Sequence, residues 1–173
     1  MALSMDVREV SIDKGIRELV IDLNRIPDLN TYTCCEGEIY RDCPMMPTKA
    51  GWIHIATKKD TNSGLISLLQ EFRRLYFSVK GPREDIFYRD WIDHSIYAEN
   101  YPFEDAEYNN LFYDMTTEQR EVFFEKAEER KIILLEGWKA LGSNVRDYIR
   151  KNISQDINSL SYRNGFCQPR IRC

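Results

Sequence analysis

The sequence predicts an α+β fold in which two αββ units form one mostly antiparallel sheet covered by helices, with two further helices at the C-terminal end. Three observations lead there. Apolar residues recur at helical spacing over 13–26 and again over 65–75, two short β-rich runs follow each of these stretches, and helical periodicity returns after Thr116. A chain of 173 residues that is 43% hydrophobic can bury one core, so residues 1–162 are expected to form a single domain, with a basic and flexible tail over 163–173.

In the first helix Ile16, Leu19, Val20, Leu23 and Ile26 share one face, Asp13 is placed to cap it, and Pro27 stops it. The run from Leu29 to Cys34 is short and rich in β-formers, and it reads as a strand that delivers Cys35, Glu36 and Gly37 to the end of a sheet. Gly37 permits a sharp exit. Residues 38–50, with Pro44 and Pro47 and no clean period, read as a long loop. A strand resumes over 51–57, with Trp52, His54 and Ala56 on one face and Ile53, Ile55 and Thr57 on the other.

Leu65, Leu68, Leu69, Phe72 and Leu75 mark the second helix, and strands are expected over 76–80 and 90–98, parted by the turn-prone Gly81-Pro82. Thr116 and Gln119 have the spacing of a capping box at the head of a long helix. That helix is expected to end at Leu141, with Gly142 as its C-cap and Ser143 opening a shorter helix to Asn152.

Charge and cysteine content narrow the function classes. The net charge of −4 hides a segregated pattern, with nine acids against two bases over 81–114 and seven bases against two acids over 139–173. The basic end can meet phosphate groups or the chain's own acidic segment. Nothing approaches the roughly 18 apolar residues of a membrane span. The N-terminal residues lack the blocks of a signal peptide, so a cytoplasmic protein with no membrane partner is expected. Five cysteines, at 34, 35, 43, 167 and 173, suit reduced thiols better than a disulfide framework.

Reactive and hydrogen-bonding groups are densest at Thr31, Thr33, Cys34, Cys35, Glu36 and Gly37. A glycine-shaped turn of this kind frees backbone amides that can cradle an anion. Of the adjacent thiols only one can face a site, because neighbours on a strand point to opposite faces. Three other chemistries fit some of these residues. Cys34 or Cys35 with Cys43 and His54 offers metal-ligand types without a recognised spacing, and Cys35 with His54 offers a thiol beside an imidazole. A non-enzymatic interaction module, docking a protein or a second copy of the chain through its acidic segment and long helices, is the reading from a different class. The tyrosines Tyr97, Tyr101, Tyr108 and Tyr113 add rings that can stack on bases.

Over residues 13–57 the pattern Thr33-Cys34-Cys35-Glu36-Gly37-Glu38-Ile39, followed by Lys49-Ala50-Gly51-Trp52, resembles the tRNA wybutosine-synthesising protein 3 family. That family carries a Ser-Ser-Cys-Ser-Gly-Arg turn after an N-terminal helix. Here Cys35 and Gly37 agree, Thr33 and Cys34 stand for the two serines, Glu36 for the third, and Glu38 for the arginine. The resemblance implies methyl transfer from S-adenosylmethionine to a base of transfer RNA. It casts Glu36 and Thr33 as the catalytic pair and Thr31, Cys35, Gly37, Trp52 and His54 as ligand-binding residues. RNA or a small adenosine-containing molecule is then the expected partner, self-association is open, and no resident metal is required.

Overall fold

The computed structural model describes residues 12–43, 46–59, 61–72, 77–84, 91–98 and 112–153. Tyr101, Tyr108 and the basic tail over 163–173 fall outside them. The protein is α+β, and both αββ units form.

Helix α1 spans Arg17–Asn24 and buries the predicted stripe of Ile16, Leu19, Val20, Leu23 and Ile26. Asp13 does not cap it in the expected way. The helix opens one turn later, at Ile16, whose N–H donates to the Asp13 carbonyl (3.2 Å), while the Asp13 carboxylate accepts from the backbone of Glu36 (3.0 Å). After Pro27 and Asp28, strand β1 runs Leu29–Cys35. The stretch read as a loop carries a small hairpin, β2 (Glu38–Ile39) paired with β3 (Thr48–Lys49). Strand β4 follows at Trp52–Lys58, helix α2 at Ser63–Glu71, and strands β5 and β6 at Phe77–Glu84 and Trp91–Ala98.

The main sheet has the order β1-β4-β6-β5, and every neighbouring pair is antiparallel. The crossover through α2 therefore passes over one strand position, which β6 then fills. Strand β5 continues through Gly81-Pro82, where the sequence suggested a break, by shifting register between Lys80 and Arg83. Proline cannot donate to a ladder, and an edge strand is where its missing donor is tolerated. A second register shift lies in β1: Thr31 pairs with Ile55 and Thr33 with His54, so Tyr32 is an extra residue with no partner of its own in β4.

The two expected C-terminal helices are one. Helix α3 spans Thr117–Asn152, 36 residues, and passes through Gly142 and Ser143 without interruption. Leu141, Val145 and Ile149 are buried on its inner face, and the packing of that last part outweighs the roughly 1 kcal/mol cost of an interior glycine. The capping box does form, with Gln119 N–H donating to Thr116 Oγ1 (3.3 Å) and Thr116 N–H to Gln119 Oε1 (2.8 Å).

Helices α1, α2 and α3 lie on one face of the sheet. Leu29, Ile53, Ile55 and Ile96 from the strands meet Ile16, Leu23, Leu65, Leu69, Trp138 and Leu141 from the helices in one core. A smaller cluster of Phe112, Phe123 and Phe124 sits at the head of α3, their rings edge-on at 5.2–5.6 Å. Arg41, just after β2, lies over the Phe124 ring and pairs with Glu128 (2.7 Å) and Glu121 (3.3 Å). Among the described residues no helix is long and apolar enough to cross a membrane.

Candidate functional site

The alternation of β1 and β4 divides the predicted cluster between two faces of the sheet. Thr31 pairs with Ile55 on the core face, where it is buried and its hydroxyl has no hydrogen-bond partner, while its N–H donates to Asn24 Oδ1 (2.8 Å). Cys34 also packs against the core. It is disulfide-bonded, with its partner outside the described residues, which corrects the expectation of reduced thiols at this position.

Thr33, Trp52 and His54 lie on the opposite face, which none of the described helices covers. The indole N–H of Trp52 points to Thr33 Oγ1 (3.4 Å), and the Lys49 ammonium sits 4.8 Å over the same indole. His54 is half-buried between two tyrosines. The ring of Tyr32 lies 5.7 Å away, tilted by 57°, and the ring of Tyr97 lies 5.6 Å away, edge-on at 81°. Ser95, directly opposite on β6, has its hydroxyl 2.9 Å from His54 Nδ1. That contact fixes the plane of the imidazole.

Sequence reasoning missed Ser95, placed Tyr32 within the candidate turn 31–37 without a role for its ring, and gave Tyr97 only as one of four crowded rings. Period-two alternation in β6 does place Trp91, Asp93, Ser95 and Tyr97 on one face. Which strand lies beside them is not in the alternation: β6 meets β4 only because the α2 crossover skips a position.

The turn at the end of β1 has a different character. Gly37 adopts φ 94°, a left-handed conformation that side chains disfavour, and the chain leaves β1 there. Cys35 is buried and a free thiol. Burial pushes its pKa up to about 11, with the Glu38 and Asp13 carboxylates adding to the rise and a hydrogen bond from the Gly37 backbone opposing it. A thiol in that state is a poor nucleophile at neutral pH.

Glu36 points to the helices rather than to His54. Its Oε2 accepts from the N–H of Gly15 (2.6 Å) at the entrance to α1, and its Oε1 pairs with the Lys131 ammonium of α3 (3.2 Å). Its backbone is held as well, the N–H by Asp13 and the carbonyl by the Trp138 indole (3.1 Å). Four groups, two from the turn leading into α1 and two from α3, thus converge on one residue. Gly51 completes the joint, since a Cβ there would lie 2.9 Å from the Glu36 carbonyl oxygen and 3.1 Å from the Trp138 ring.

Trp52, His54 and Thr33 are therefore together, with Cys35 buried behind the end of their strand, while Thr31 and the Glu36 carboxylate belong to the helix side. No group of three or more His, Cys, Asp or Glu side chains placed to hold a metal occurs among the described residues. Set against family models, curated proteins and solved structures, the chain matches none.

Proposed function

We propose that this protein binds a planar nitrogenous ring, the base of an RNA or of an adenosine-containing small molecule, on the face of the sheet opposite its helices. The observation that carries the reading is the arrangement around His54, held between Tyr32 and Tyr97 with its Nδ1 engaged by Ser95. The Tyr32 and Tyr97 rings touch that of His54 across neighbouring strands and form one aromatic surface on this face. Such rings offer π-faces to a base, and stacking on them is worth about 1–3 kcal/mol per base.

Polar groups for orientation stand beside them. The Thr33 hydroxyl can meet the edge of a base, and the Lys49 ammonium supplies positive charge for a phosphate. A sulfonium, as in S-adenosylmethionine, suits the same tyrosine faces by cation–π attraction. Methyl transfer on this face would rest on positioning, which can supply most of the acceleration for a reactive donor, with Thr33 and His54 as the orienting groups. In this reading Glu36 braces the turn and does not act as a base.

Titration of the intrinsic fluorescence and calorimetry with adenosine, S-adenosylmethionine and transfer RNA test the proposal. Saturable binding is expected for at least one of the three, weakened at least about tenfold by Tyr97→Ala or His54→Ala and little changed by Lys131→Met. Absence of binding by all three at millimolar concentration would remove the reading.

A further inference from the structure

Cys34 has a chemistry that neither the aromatic face nor the joint at Glu36 uses. It stands opposite Ile53 in the β1–β4 ladder, packs against the core on the helix side of the sheet, and is disulfide-bonded. The chain holds five cysteines, and two are excluded as its partner because Cys35 and Cys43 are free thiols. Cys167 and Cys173 remain.

The path back to β1 is short enough for either. The Trp138 indole is bonded to the carbonyl of Glu36, two positions from Cys34, and α3 carries the chain about 21 Å further, to Asn152, at 1.5 Å per residue. Cys167 and Cys173 follow Asn152 by 15 and 21 positions. Chains of those lengths span about 20–25 Å even when unstructured, which is the distance to be retraced. The adjacent Cys35 does not compete for the bond. Neighbours on a strand point to opposite faces, and a buried thiol that holds its proton is too poor a nucleophile to open a disulfide beside it.

We infer that Cys34 and one of the two C-terminal cysteines, Cys167 or Cys173, form a disulfide that ties the end of the chain to the helix side of β1. The bond forms by exchange with a small-molecule disulfide such as oxidised glutathione. One protein thiolate attacks it, giving a mixed disulfide and releasing one small thiol. The second protein thiolate displaces the other small thiol, so the two cysteines lose two protons and two electrons and the reagent is reduced to two thiols. The closed loop takes in β4, β5, β6 and α3, and a cross-link of that span restricts the unfolded chain more than the folded one.

Peptide mapping by mass spectrometry reads the pairing, on protein incubated with oxidised glutathione and alkylated in denaturant without reduction. Trypsin leaves Cys43, Cys167 and Cys173 on separate peptides, and Cys34 and Cys35 together on residues 26–41. The expected product joins 26–41 to the peptide of Cys167 or Cys173, persists in Cys35→Ser and is lost in Cys34→Ser. Cys167→Ser or Cys173→Ser, whichever removes the partner, should abolish the same product, a readout that stands whether or not Cys34→Ser folds. A reducing agent should lower the melting temperature of the parent by several degrees and leave that of this last variant unmoved. Alkylation of all five cysteines, a bond from Cys34 to Cys35 or Cys43, a bond between two chains, or a product abolished by Cys35→Ser would each overturn the inference. A parent melting temperature indifferent to reduction would overturn it too.

Discussion

The indole N–H of Trp138 reaches across 102 positions of sequence to the backbone carbonyl of Glu36, 3.1 Å away. That bond joins the middle of the longest helix to the turn at the end of β1. Trp138 is almost wholly buried, so its polar atom needs a partner, and the carbonyl of a residue leaving the sheet needs one too.

Trp138→Phe keeps most of the packing and removes the donor. It is expected to cost about 1–3 kcal/mol, as for other buried groups left unpaired, and to lower the melting temperature by several degrees. Thermal unfolding followed by circular dichroism measures it, and an unchanged midpoint would contradict the joint described above.

Gly51→Ala should damage the same joint by a steric route. The added methyl would meet a backbone oxygen at 2.9 Å and the buried Trp138 ring at 3.1 Å, and neither can swing aside as a flexible side chain would. A loss of about 1–3 kcal/mol is expected. Combined with Trp138→Phe, the cost should be clearly less than additive, because both changes strain one contact. Additive losses would show that the two residues act separately.

Cys35 should be unreactive in the folded protein at neutral pH. With a pKa of about 11 the thiolate fraction at pH 7 is of the order of 1 in 10,000. Mass spectrometry after brief alkylation should find the half-buried Cys43 modified first and Cys35 modified only after unfolding. Rapid native labelling of Cys35 would show that the end of β1 opens.

His94 makes stability depend on pH. It lies on the core face of β6, buried, with no hydrogen-bond partner for Nδ1, and burial lowers its pKa below the ordinary 6.5. The unfolded chain therefore takes up a proton at a higher pH than the folded one. His94 costs the fold nothing above about pH 6.5, and stability declines as the pH falls from there toward the lowered folded value. Denaturant midpoints at pH 7.5 and 5.5 should differ, and His94→Phe should shrink the difference. A variant with the same pH dependence as the parent would place its origin elsewhere.

Much of the fold could be read from residue spacing, and much of the site could not. Ile16, Leu19, Val20, Leu23 and Ile26 announce α1 by period, and all five are buried. Alternation in β4 separates His54 from Ile53 and Ile55 correctly. Gly142-Ser143 misleads because local punctuation favours a break, whereas Leu141, Val145 and Ile149 bury on either side of it. Glu36 shows a related limit: the partners of its carboxylate, Gly15 and Lys131, come from elements whose approach no local pattern encodes. Tyr32 and Ser95 meet His54 only through strand order.

The extra residue in β1 has a consequence for how this face was assembled. Thr31 and Thr33 occupy consecutive positions opposite β4, so the ladder on either side of Tyr32 stays in one reading frame, as if that residue had been spliced in. Deleting it would close the strand without rotating any neighbour to the wrong side. The Tyr32 ring and the scaffold beneath it are thus separable at a single codon, and a lineage could acquire or discard that ring while keeping its architecture intact.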